Sequence, residues 1–166
     1  MEYYNLFKVG IIGPESSGKS TLARYLADRY GGLLVPEYAR TFVEQKGTTE
    51  VTWDELCAIA RHQVEELMDA QRDKAQCTKV VFFDTELIVT KVWFDYAFGR
   101  VPEWLERDIR RFPMDVYLLT SPDIPWVPDP ARSNGSDEIR KELFGRYEAE
   151  IQALDVPYYI ITHLVS

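Results

Sequence analysis

The sequence predicts an α/β domain of three layers, α/β/α, around a five-stranded parallel sheet. Three observations predict it. Short, almost wholly apolar runs recur along the chain, as strands buried on both faces require. Segments of helical period separate them, which implies crossovers between parallel strands. The first strand runs straight into a glycine-bounded turn and then a helix.

Taken in order, Phe7 to Ile12 (FKVGII) reads as the first strand and Thr21 to Tyr30 as a helix with Leu22, Tyr25 and Leu26 on one face. Gly31-Gly32 stops that helix, and Leu33 to Val35 is a short second strand closed by Pro36. Thr52 opens a long helix in which Leu56, Ile59, Ala60, Gln63, Val64, Leu67 and Met68 recur at three and four residues. Lys79 to Phe83 (KVVFF) is the third strand, Leu87 to Phe98 a helix, and Pro102 to Arg111 another with proline in its first turn. Val116 to Leu119 is the fourth strand. A proline-rich polar stretch, Ser121 to Gly135, is too long for a turn and reads as a mobile lid over about residues 121–136. Asp137 to Leu154 is a helix with Ile139, Leu143, Tyr147 and Ile151 inward, and Tyr158 to Ile161 is the last strand.

At 166 residues the expectation is one domain over residues 1–166. A net charge of −8 argues against a broad electrostatic footprint for nucleic acid. The sequence has no apolar run long enough to span a bilayer and no secretory leader, so the expected place is the cytoplasm and no membrane partner is expected. Cys57 and Cys77 have no metal-like spacing and read as reduced thiols. The oligomeric state is left open.

Gly13-Pro14-Glu15-Ser16-Ser17-Gly18-Lys19-Ser20 matches the phosphate-binding pattern G-x4-G-K-[S/T]. It follows a strand and opens a helix, which is the context that gives the pattern meaning and makes this a P-loop nucleotide-binding fold. Gly13 and Gly18 permit the turn and the close backbone approach. The amides of Glu15, Ser16, Ser17 and Gly18 then face phosphate oxygens, helped by the positive end of the helix. Lys19 is expected to project into solvent-filled space and reach the β- and γ-phosphates of ATP, Ser20 to ligate Mg²⁺, and Thr21 to make a further contact.

Asp84, at the end of the third strand, lies beside the P-loop in such a sheet. It is expected to hold Mg²⁺ or accept a substrate proton; alternatively it or Thr85 caps the following helix. Glu37, just past the second strand, reaches the edge where ligands bind. Arg132, inside the lid, and Arg140, after it, are candidates to neutralise phosphate charge; for Arg140 and Arg146 the alternative is a solvated helix face. Trp126 either anchors the lid or stacks on a flat ring. No guanine-specific N-K-x-D motif is present. The remaining parts are those of an ATP-dependent small-molecule kinase with Mg²⁺, catalysed by Lys19, Asp84, Glu37 and Arg132.

The P-loop with Thr21-Leu22, Val35-Pro36-Glu37-Tyr38-Ala39-Arg40, Phe83-Asp84-Thr85, Thr90-Lys91-Val92-Trp93 and Pro122-Asp123-Ile124-Pro125-Trp126-Val127 resemble, in this order, the ribosylnicotinamide kinase domain of bacterial NAD-biosynthesis regulators. The chain departs from that pattern at Glu86, where Asp is expected. The resemblance implies ATP-dependent phosphorylation of a small nucleoside, nicotinamide riboside, on its 5′-hydroxyl. It implies Glu37, Tyr38, Arg40, Asp84 and Trp126 as substrate contacts. A kinase for another nucleoside or small hydroxyl metabolite, or a non-catalytic nucleotide-binding sensor, is the alternative.

Overall fold

The structure is a computed structural model that describes residues 6–15, 17–72 (backbone alone at 71 and 72), 79–122 and 137–162. Among these, five strands and six helices follow one another: β1 (Phe7–Ile12), α1 (Lys19–Tyr30), β2 (Leu33–Val35), α2 (Tyr38–Lys46), α3 (Trp53–Arg72), β3 (Val80–Asp84), α4 (Leu87–Phe98), α5 (Glu103–Arg111), β4 (Val116–Thr120), α6 (Asp137–Leu154) and β5 (Tyr158–Ile161). The strands form one parallel sheet in the order β2-β3-β1-β4-β5. The expected five-stranded α/β fold is therefore present, with β1 at its centre.

Period-two alternation divides the core. Val9 and Ile11 of β1, with Phe82 of β3, bury against Leu22, Ala23 and Ala27 of α1. Ile12, Val81, Phe83 and Leu119 face the other way, into a larger cluster with Leu56 and Ile59 of α3, Ile88 of α4, Leu105 of α5 and Leu143 of α6. Each fully buried Leu or Ile contributes about 1.5–3 kcal/mol through removal of apolar surface from water. Gly10 lies on that second face because a Cβ there would stand 2.8 Å from the Tyr117 ring.

Several boundaries move by one or two residues. The first helix begins at Lys19 because Gly18, at φ 85°, turns the chain into it. The third strand extends to Asp84 and the fourth to Thr120, each pairing with a neighbour to its last residue. Pro102 is extended (ψ 135°) and stands before the helix rather than in its first turn. Helix α2 has no counterpart in the sequence reading. Ala39 and Val43 are buried and Tyr38 and Phe42 pack half-buried beside them, an inner face of about two turns that leaves little periodic signal. No helix among the described residues is long and apolar enough to cross a membrane.

Candidate nucleotide and acceptor site

All five strands point their C-terminal ends to one edge, so Gly13, Glu37, Asp84 and Thr120 converge there. Thr120 lies directly behind the P-loop. A Cβ on Gly13 would come 2.0 Å from its Oγ1 and 2.7 Å from its carbonyl oxygen, so only glycine fits. The Ser17 hydroxyl bonds the Pro14 carbonyl and meets the Thr120 hydroxyl, closing the loop on itself. Helix α1 has no acidic residue in its first turn, so its positive end remains available to an anion.

Lys19 does not project into solvent. It is buried, and its Nζ donates to the carbonyls of Gly13 and Pro14, both at 2.9 Å. The ammonium bridges these two loop carbonyls and thereby holds the loop in its turn. Ser20 Oγ donates to Asp84 Oδ2 at 2.6 Å. The register that pairs Ile11 with Asp84 creates this contact between strand end and helix start. Asp84 caps no helix; nor does Thr85. The cap of α4 is Glu86, whose Oε1 accepts from the Ile88 amide at 2.9 Å.

Glu86 is fully buried, and burial pushes its carboxyl from 4.5 up to about 7, against bonds from the Ile88 and Leu87 amides and the Tyr117 hydroxyl. Tyr117 moves well upward in turn, through burial and the neighbouring carboxylate. A carboxyl raised on folding gives its full stability below pH 4.5 and loses it as pH rises toward about 7. Glu86→Gln is therefore expected to raise Tm at both pH values, by less than about 1 kcal/mol of stability at pH 5 and by up to about 3 kcal/mol at pH 8. Thermal melts of the nucleotide-free protein at the two pH values check this; equal shifts at both would contradict it. Glu66, also raised to about 7 by burial and by Asp69, is common to both proteins and cancels.

Arg140 lies on no solvated helix face. It is completely buried at the start of α6, where Nε donates to the Glu15 carbonyl at 3.1 Å and Nη1 meets Asp137 Oδ1 at 3.1 Å. It ties α6 to the P-loop backbone. Arg146 is the surface residue: it pairs with Asp95 and Glu142 at 3.1 and 3.0 Å.

A cleft open to solvent extends from the P-loop across α2, α4 and α6. Gly13, Glu15, Lys19, Glu37, Arg40 and Thr85 line its polar end, and Val89, Trp93, Tyr96, Leu143 and Tyr147 its apolar wall. Glu37 is buried at the turn into α2. Arg40 also pairs with Glu44 at 3.1 Å. Tyr38 stacks on His62, with centroids 3.6 Å apart, and does not line the cleft. Thr21 is exposed on the first turn of α1. Ser16, Trp126, Arg132 and nearly all of the lid lie outside the described residues. The aromatic wall was missed in the sequence, although Val89, Trp93 and Tyr96 recur at i, i+4 and i+7 on one helix face.

A family model described as an AAA domain matches residues 8–165. The chain belongs to this family. The trifunctional NAD biosynthesis/regulator protein NadR of Escherichia coli (strain K12) is 32% identical over 138 residues, 81% of this chain and 33% of that protein. The chain thus spans about a third of the length of the curated relatives it matches. A crystal structure of NadR protein in complex with NR superposes with a TM-score of 0.74 at 21% identity, covering 93% of this chain and 43% of that one. NadR in complex with NAD and AMP-PNP gives 0.70 at 26% identity, covering 93% and 44%. Thymidylate kinase from Ehrlichia chaffeensis shares the fold, with a TM-score of 0.67 at 16% identity over 98% of this chain and 89% of that one. The chain thus shares the fold of these P-loop kinases and is related to NadR.

Proposed function

We propose that the chain transfers the γ-phosphoryl group of ATP to the 5′-hydroxyl of nicotinamide riboside, giving nicotinamide mononucleotide and ADP. The observation that carries this reading is one continuous cleft. It joins the P-loop lysine to a buried carboxylate, Glu37, and then to an aromatic wall. Nicotinamide riboside has three matching parts. Its 5′-hydroxyl meets the phosphate end, its ribose hydroxyls suit a carboxylate acceptor, and its flat cationic ring suits the faces of Trp93, Tyr96 and Tyr147. Similarity to NadR, which has been solved with NR, supports the same acceptor.

Within this reading the P-loop amides and the α1 N-terminus bind the β- and γ-phosphates, and Lys19 exchanges its loop carbonyls for phosphate oxygens. The Ser20 hydroxyl and Asp84 carboxylate are hard oxygen donors in contact, a set that suits Mg²⁺ completed by water and phosphate. Bound there, Mg²⁺ supplies charge neutralisation on the transferring phosphoryl group. A bond forms between the acceptor O5′ and the γ-phosphorus while the β–γ bridge breaks and ADP leaves. The hydroxyl proton passes to a carboxylate beside the acceptor. The transition state is loose and needs placement more than a strong base. Glu37 lines the cleft and holds the acceptor; Asp84, turned to Ser20, serves the metal and the reacting end.

An ADP-release assay across nicotinamide riboside, adenosine, cytidine, thymidine and deoxyadenosine tests the reading. The expected result is a kcat/KM for nicotinamide riboside well above all the others. Preference for another nucleoside would move the acceptor while leaving the kinase; no release with any would remove both.

A further inference from the structure

We propose that the Thr85 hydroxyl hydrogen-bonds the acceptor hydroxyl that receives the phosphoryl group, which makes Thr85 a binding residue of the cleft; this rests on the kinase reading above. Thr85 sits at φ 70°, a left-handed conformation that is rare for a β-branched residue and persists only where the surroundings impose it. Three anchors impose it here. The Thr85 amide donates to the Ile11 carbonyl at 2.9 Å, fixing it to the P-loop strand. The preceding Asp84 meets Ser20, and the following Glu86 caps α4.

The backbone is thus fixed on both sides, and Thr85 lines the same cleft as Lys19 and Glu37. Thr85 is only 7% exposed, and its Oγ1 is buried with no hydrogen-bond partner among the described residues. A buried hydroxyl without a partner is unfavourable, and valine, of the same shape, would avoid that cost. A hydroxyl both donates and accepts, so an alcohol acceptor at the reacting end satisfies it. An acceptor that lacks this hydroxyl leaves it buried and unsatisfied, which gives selectivity as well as placement.

Thr85→Val and Thr85→Ser test the assignment through kinetics with nicotinamide riboside at saturating ATP, with thermal melts of each protein. Thr85→Val is expected to lower acceptor kcat/KM about tenfold, the loss of one hydrogen bond at a buried site. The KM for ATP and the Tm should not fall. Thr85→Ser should recover activity to within about twofold of the parent. Full acceptor kcat/KM in a folded Thr85→Val protein would overturn the assignment. So would a loss of Tm or of folding in Thr85→Val with recovery in Thr85→Ser, which would make the hydroxyl structural. A parent protein that phosphorylates no nucleoside would overturn the proposed function and this assignment together, whereas an active parent with an equally active Thr85→Val variant removes the assignment alone.

Discussion

Lys19→Ala is expected to reduce turnover by about a thousandfold, since it deletes the one P-loop side chain able to follow charge onto the γ-phosphate, and single preorganised donors of this kind contribute about 10²–10³ to rate. The Lys19 ammonium bridges the carbonyls of Gly13 and Pro14, so its removal also leaves the loop less well held. A stability loss of about 1–3 kcal/mol accompanies the loss of rate, as for buried acceptors that lose their donor. Activity must therefore be read well below the variant's own Tm. Near-parental turnover in folded Lys19→Ala protein would contradict its role as a phosphate ligand.

Asp84→Asn is the second large effect. An amide oxygen can still accept from Ser20 Oγ, so the junction between β3 and α1 should survive. The negative charge does not survive, and with it goes most of the attraction for a divalent cation. The expected result is a kcat lower by about two orders of magnitude and a Mg²⁺ requirement shifted to higher concentration. Glu37→Gln provides the contrast. Glu37 faces the cleft rather than Ser20, so its loss should mainly raise the acceptor KM, as removal of binding common to ground and transition states does. Steady-state kinetics on both variants, with Mg²⁺ titrated, separates the two. An unchanged acceptor KM with a collapsed kcat in Glu37→Gln would make Glu37 the base instead.

The sequence exposed the parts of the site that depend on local spacing. The P-loop is a contiguous pattern, and the apolar run ending at Asp84 places an acid at a strand end without knowledge of the partner strand. β1, β3 and β4 were readable because central parallel strands are apolar on both faces; the edge strands β2 and β5 showed only as short apolar runs. What stayed hidden depends on tertiary partners. Arg140 looks like any cation on a helix beginning Asp137-Glu138, and its contact with the distant Glu15 carbonyl is a tertiary one that the sequence does not mark. Thr85 carries no local mark of a positive φ; the strain is imposed by anchors on three other segments. The capping role passed to Glu86 because Asp84 is engaged by Ser20. Helix α2 was invisible because its inner face, Tyr38, Ala39, Phe42 and Val43, is only about two turns long.

The most direct measurement is identification by mass spectrometry of the product formed from ATP and nicotinamide riboside. The proposed chemistry predicts nicotinamide mononucleotide, phosphorylated at the 5′-position, in equal amount with ADP and absent when Lys19→Ala protein replaces the parent. ADP release without a phosphorylated riboside, or a product unaffected by Lys19→Ala, would contradict it.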